Sequence, residues 1–342
     1  MAFLVDDIGS FPLPQDLERE WIDGLGGKIA LGESAKDEEL FKEVVEESFR
    51  KKIASGLDVV TFPQFRDMIS SFMDVIDGFY EEDHPWVVKK DKAVLPELRY
   101  LEAPAKEHFE KTGEKVKLRV CVTGPLELHF ASVGPLVDGG LLRNLSESVG
   151  RFLANSITNT KYIETSTVSI DEPGLGFQPN MVLDDEDLVA AWMSAVKPAK
   201  NLDVQLHLHS SVSVDRVFDV AGINVIGVES AEDPKNLEAF DKKQLENEDK
   251  FLRVGVARTN IFGLASDYKL KTGVDVWKDK GKLGKLVNEL ESPKIIKKRI
   301  KKATDSFGDR IKYIGPDCGL SAWPTQESAV QLLKNTVKAA HQ

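Results

Sequence analysis

Eight short runs of β-type sequence, separated by stretches with helical spacing, constrain this chain more than any other feature. They fall at residues 3–8, 57–62, 117–122, 166–171, 203–209, 223–229, 251–257 and 311–315. Each is rich in Val, Ile or Leu and short enough to be a strand. Strands that alternate with helices pair in parallel through helical crossovers, so eight such units predict an α/β fold, a (β/α)8 barrel of the TIM type. The helical pattern over 37–55 puts Leu40, Val44, Val45, Ser48 and Phe49 on one face. The pattern over 184–200 does the same with Leu188, Ala191, Trp192 and Val196.

The chain has 342 residues, more than the ~250 of a bare barrel. Two stretches read as insertions. Residues 73–112 carry the acidic and aromatic segment DVIDGFYEEDHPWVV, and residues 262–307 carry the lysine-rich run KIIKKRIKK. In that run Ile295, Ile296 and Ile300 recur at helical spacing, which predicts an amphipathic helix with a solvated basic face. No internal repeat or low-complexity tail is evident, so residues 1–342 read as a single catalytic barrel domain.

A formal charge of -11 argues against general binding to nucleic acid or to anionic membrane, both of which favour a basic face. The N-terminus lacks the basic and apolar segments of a signal peptide, and no apolar run reaches membrane length. A cytoplasmic enzyme is the expected class. Two cysteines, Cys121 and Cys318, cannot form a disulfide framework. Cys121, inside the apolar run LRVCVTG, reads as a buried structural residue, whereas Cys318 lies in the turn GPDCGL.

The ends of the predicted strands carry metal-type ligands: His207 and His209 in VQLHLHSS, Glu229 in INVIGVES, and Cys318. Alternate residues of a strand share a face, so His207, His209 and Ser211 point to one side. Imidazole, carboxylate and thiolate suit tetrahedral zinc, and the soft sulfur disfavours magnesium or calcium. Such a centre could activate water for hydrolysis or hold a substrate thiol as a nucleophile. Taken one by one, the same residues also read as hydrogen-bonded histidines, a salt-bridged glutamate and a small buried thiol. Their placement at the strand ends, where barrels collect functional groups, favours the metal.

Further motifs follow in order: IGSFP at 8–12, QFRDM at 64–68, TGP at 123–125, DEP at 171–173 and PDCG at 316–319. In these motifs and their order the chain resembles, along nearly its whole length, the C-terminal catalytic half of cobalamin-independent methionine synthase. The resemblance implies a TIM barrel in which zinc binds the sulfur of homocysteine, and the thiolate then takes a methyl group to give methionine. It assigns Ile8, Gly9 and Ser10 to the amino-acid part of homocysteine and Asp171 to its ammonium group. Gln64 falls near a family glutamate that shares this task.

The resemblance also exposes departures. The family pattern His-x-Cys stands here as His207-Leu208-His209-Ser210-Ser211. Either His209 replaces the cysteine and His207 is a ligand, or His209 matches the histidine and Ser211 replaces the cysteine. The first keeps four good ligands and is preferred on chemistry. A family glutamate that contacts folate is represented by Phe177, and a proton-donor histidine by Asn260. An imidazole in place of a thiolate would make the bound substrate thiolate less nucleophilic. Together with those two departures, this leads to the expectation of a short core enzyme whose methyl donor is methylcobalamin or a corrinoid protein, with Asp171 and Asn260 as its catalytic residues. Transfer to another thiol, such as coenzyme M, and a zinc hydrolase on the same barrel are the alternatives.

Overall fold

The computed structural model describes residues 3–33, 36–177 and 184–341. Its main sheet has eight parallel strands: β1 Leu4–Val5, β2 Val60–Thr61, β3 Val116–Thr123, β4 Ile163–Asp171, β5 Asp203–Leu208, β6 Val225–Val228, β7 Phe251–Ala257 and β8 Ile311–Pro316. Every one lies within or over a run read from the sequence. Strands β2 to β8 pair with their chain neighbours, and β8 pairs with β1 through Leu4↔Tyr313 and Val5↔Ile314.

The remaining seam, between β1 and β2, has no continuous ladder. Backbone bonds join it instead: Asp58 and Val59 donate to the Val5 carbonyl at 2.9 and 3.1 Å, and Gln64 donates to the Gly9 carbonyl at 3.2 Å. The sheet therefore curls far enough for its edges to meet, as a TIM-like barrel requires.

The helices cover the outside and bury their apolar faces against the strands. In the Glu38–Ile53 helix the inward residues are Phe41, Val44, Val45, Ser48 and Phe49. Leu40, expected on that face, is exposed, and Phe41 takes its place. The Asp185–Val196 helix buries Leu188, Ala191, Trp192 and Val196 as expected. The stretch 73–112 holds a helix end, an antiparallel hairpin (Tyr80–Glu81 with His84–Val88) and the Glu102–Thr112 helix. The lysine-rich run forms the Pro293–Phe307 helix, with Ile296, Ile300, Ala303 and Phe307 buried beneath its basic face. Among the described residues no helix is long and apolar enough to cross a membrane.

The barrel interior is polar. Asp6, just after β1, accepts Arg253 Nε at 2.8 Å and Gln205 Nε2 at 2.9 Å, and all three side chains are fully buried. Next to it, Lys52 Nζ lies 2.7 Å from Asp7 Oδ2. Arg119 donates to the carbonyls of Asp7 and Ile8 at 2.8 and 2.9 Å. Buried charges at this density persist only when paired, so the interior fixes where β1 hands over to the loop that carries Ile8 to Ser10.

Candidate metal centre

On β5 the alternating pattern sends Leu206 and Leu208 outward and His207 inward, and His209 follows one residue beyond the strand. Glu229 comes one residue after β6, and Cys318 two residues after β8. One ligand atom from each of His207, His209, Glu229 and Cys318 falls within 4.8 Å of the others. His209 Nε2 is 3.3 Å from Glu229 Oε1 and 3.4 Å from Cys318 Sγ. Ser211, the rival candidate, is turned away: its hydroxyl donates to Asn236 Oδ1 at 3.2 Å.

Two observations test whether the four residues suit a metal. The His207 ring is buried, yet neither of its nitrogens has a hydrogen-bond partner, an arrangement that buried polar groups rarely tolerate. The protonation states point the same way. Burial holds His207 well below its usual range and lowers His209, while it pushes Glu229 up to about 7 and the Cys318 thiol well up. A cation among these donors would satisfy one of the two orphaned His207 nitrogens and draw the thiol and carboxyl towards their ionised forms. Two nitrogens, one sulfur and one carboxylate are a set that zinc accepts.

Backbone anchors set the spacing. Asn236 donates to the carbonyls of His209 at 3.1 Å and Glu229 at 2.7 Å, and so ties the ends of β5 and β6 together. Asp317 accepts the backbone N–H groups of Ser230, Ala231 and Glu232 at 3.0, 2.9 and 2.7 Å, which ties the end of β6 to the Cys318 turn. A Cβ at Gly255 would stand 2.0 Å from Asp317 Oδ1, so this strand position needs glycine.

The cluster opens into a cavity of about 310 Å³. Ile8, Ser10, Gln64 and Asp171 line it together with His207, His209 and Cys318, so the proposed amino-acid residues and the ligands share one chamber. Gly9 shapes it with a backbone φ of 127°, and a Cβ there would lie 2.4 Å from Gln64 Oε1. Arg19, Met68, Phe72 and Leu95 also line the cavity, as does the buried pair Arg66 and Glu97, whose Nε and Oε1 are 2.8 Å apart.

Asn260, expected to be catalytic, and Phe177, matched to a family glutamate, lie elsewhere. Asn260 is the N-cap of the Ile261–Thr272 helix, where its side chain accepts the Gly263 N–H at 3.0 Å, and it does not line the cavity. Phe177 is 60% exposed and also lies off the cavity wall. Conversely, Cys121, read as structural, is buried but lines the cavity, and its thiol donates to Asp171 Oδ2 at 2.8 Å. Its place two residues before TGP on the inward face of β3 was the available signal. Asn236 and Asp317 had none beyond their types.

An eight-stranded parallel barrel with a His/His/Glu/Cys cluster at its strand ends is the class that fold and site define. No protein-family model matches the chain. It is similar to methionine synthase of Methanothermobacter thermautotrophicus, 23% identical over 313 residues that cover 88% of this chain and 89% of that one. It is equally similar to 5-methyltetrahydropteroyltriglutamate–homocysteine methyltransferase of Corynebacterium glutamicum, 23% identical over 332 residues and 89% of this chain. The chain spans about 40% of the length of that relative. Among solved structures, a B12-independent methionine synthase from Shewanella sp. W3-18-1 aligns over 99% of this chain and 97% of its own, with TM-score 0.57 and 14% identity. A methyltransferase from Methanosarcina mazei aligns over 98% and 94%, with TM-score 0.54 and 15% identity. These likenesses show the fold.

The relatives overturn one expectation, that the methyl donor is methylcobalamin or a corrinoid protein. The Corynebacterium relative is named for a 5-methyltetrahydropteroyl donor, and the Shewanella structure is of a B12-independent enzyme. The physical reason is plain in the fold. The inference rested in part on Phe177 and Asn260 as stand-ins for donor-contacting residues, and neither lines the cavity.

Proposed function

We propose that this chain is a zinc-dependent methyltransferase that makes methionine from homocysteine, with a 5-methyltetrahydropteroyl compound as the methyl source. The observation that carries the reading is the shared cavity: His207, His209 and Cys318 of the four-donor cluster line it together with Asp171. In this reading His207, His209, Glu229 and Cys318 hold the ion. Zinc in that set would lower the pKa of a substrate thiol and keep it as thiolate near neutral pH.

The chain's own residues do the positioning. Asp171 receives the substrate ammonium through a charge-assisted hydrogen bond, and the backbone of Ile8 to Ser10 meets the rest of the amino-acid group. With one end of homocysteine fixed, its sulfur reaches the ligand cluster in a restricted geometry, which lowers the entropic part of the activation barrier. Chemically, sulfur forms a bond to the methyl carbon as the carbon–nitrogen bond of the donor breaks, and the released amine gains one proton for the one the substrate thiol gave up, exchanged through solvent.

The test is a methyl-transfer assay on zinc-loaded protein with homocysteine and 5-methyltetrahydropteroyltriglutamate. Methionine that forms only when both are present is the expected result. No methionine from protein carrying stoichiometric zinc would contradict the reading.

A further inference from the structure

Strand β3 sends Arg119, Cys121 and Thr123 to the barrel interior, and Cys121 and Thr123 line the cavity. Cys121 is held at both its ends. Its carbonyl accepts Gln64 Nε2 at 3.3 Å, and its thiol donates to Asp171 Oδ2 at 2.8 Å. The other carboxylate oxygen, Oδ1, accepts the Ser169 hydroxyl at 2.7 Å. Arg119 Nη2 stands 4.0 Å from the same oxygen, while Nη1 of that guanidinium is committed to the carbonyls of Asp7 and Ile8.

Asp171 therefore carries one neutral donor on each oxygen. A carboxylate oxygen has two lone-pair directions, so each keeps one acceptor site free for a ligand in the cavity. The two donors fix the plane of the carboxylate and hence where the free sites point. A thiol is a weak donor, so it orients the group while leaving most of its negative charge for a cation.

We propose that Cys121 is a specificity-determining residue: its thiol fixes the Asp171 carboxylate so that the free edge meets the α-ammonium of an amino-acid thiol. The enzyme thereby favours such thiols over their des-amino counterparts. The proposal deepens the homocysteine reading above and rests on it for the substrate class.

The experiment measures binding of L-homocysteine and of 4-mercaptobutanoate, which lacks only the amine, to the zinc-loaded parent, Cys121→Ala and Cys121→Ser proteins by calorimetry. The parent should prefer homocysteine. Cys121→Ala should lose about five-fold of that preference, the scale of one hydrogen bond. Cys121→Ser, which can still donate to Asp171, should keep most of it, and this rescue separates orientation from loss of packing. An unchanged preference in Cys121→Ala, or equal weakening for both thiols, would overturn the proposal. If the preference and its loss hold but no methionine forms in the transfer assay, the methyl-transfer reading fails and the assignment of Cys121 stands.

Discussion

The Asp317 carboxylate accepts the backbone N–H of Ser230 at 3.0 Å and so joins the turn after β8 to the turn after β6. Glu229 and Cys318 are the chain neighbours of these two residues, so the bond sets the distance between two candidate ligands. In Asp317→Asn an amide of the same shape cannot accept all three N–H groups. Zinc affinity should fall by about 10- to 100-fold, as for other changes just outside a metal's ligand set. Titration against a competing chelator measures it, and an unchanged affinity would count against the anchoring role.

His207 and Ser211 are rival positions for the fourth ligand: the Ser211 hydroxyl donates to Asn236, while a His207 nitrogen lies within 4.8 Å of the other three donors. His207→Ala, His209→Ala and Cys318→Ser should each lower zinc affinity by at least the ~100-fold upper end seen for outer-shell changes. Ser211→Ala should keep the full zinc content. Metal analysis of the four purified variants decides the matter, and zinc loss in Ser211→Ala with retention in His207→Ala would reverse the assignment.

Gly9 has a backbone φ of 127° and no room for a Cβ beside Gln64. Gly9→Ala combines backbone strain with a clash, so it should destabilise the fold by about 1–3 kcal/mol and displace Gln64 from the cavity wall. Denaturant unfolding reports the first effect, and weaker homocysteine binding reports the second.

Glu172 is fully buried and accepts the N–H groups of Leu126 and Glu127 and the Trp192 indole. Burial pushes its carboxyl from the ordinary 4.5 up to about 8. The folded state thus holds this proton more tightly than the unfolded state does. The resulting stabilisation is fully present below the unfolded value and is lost as pH rises through about 8. Unfolding midpoints from about pH 5 to about pH 9 should fall in the parent more than in Glu172→Gln, which has no proton to lose. Parallel pH profiles would show that Glu172 is ionised throughout.

The fold was legible because strand and helix leave different periodicities, and each of the eight runs became a strand. The candidate ligands were legible for a related reason, since alternation on β5 put His207 and His209 on one face. What escaped was set by contacts between distant segments. Leu40 and Phe41 are both apolar neighbours, and only packing selects Phe41 for the core. Cys121 and Asp171 are 50 positions apart, so no local pattern announces their bond. Asn260 looked like a replaced catalytic group, yet at the start of a helix an asparagine has a capping role to fill. Asn236 joins two carbonyls that lie on different strand ends, a task visible only in three dimensions.

The central claim, that the cluster holds zinc which takes up a substrate thiol, is tested most directly by zinc X-ray absorption of the purified protein with and without homocysteine. The account predicts one zinc per chain with a single sulfur neighbour, Cys318, at about 2.3 Å, and a second sulfur at similar distance once homocysteine is added. A zinc environment whose sulfur count does not rise with homocysteine would contradict it.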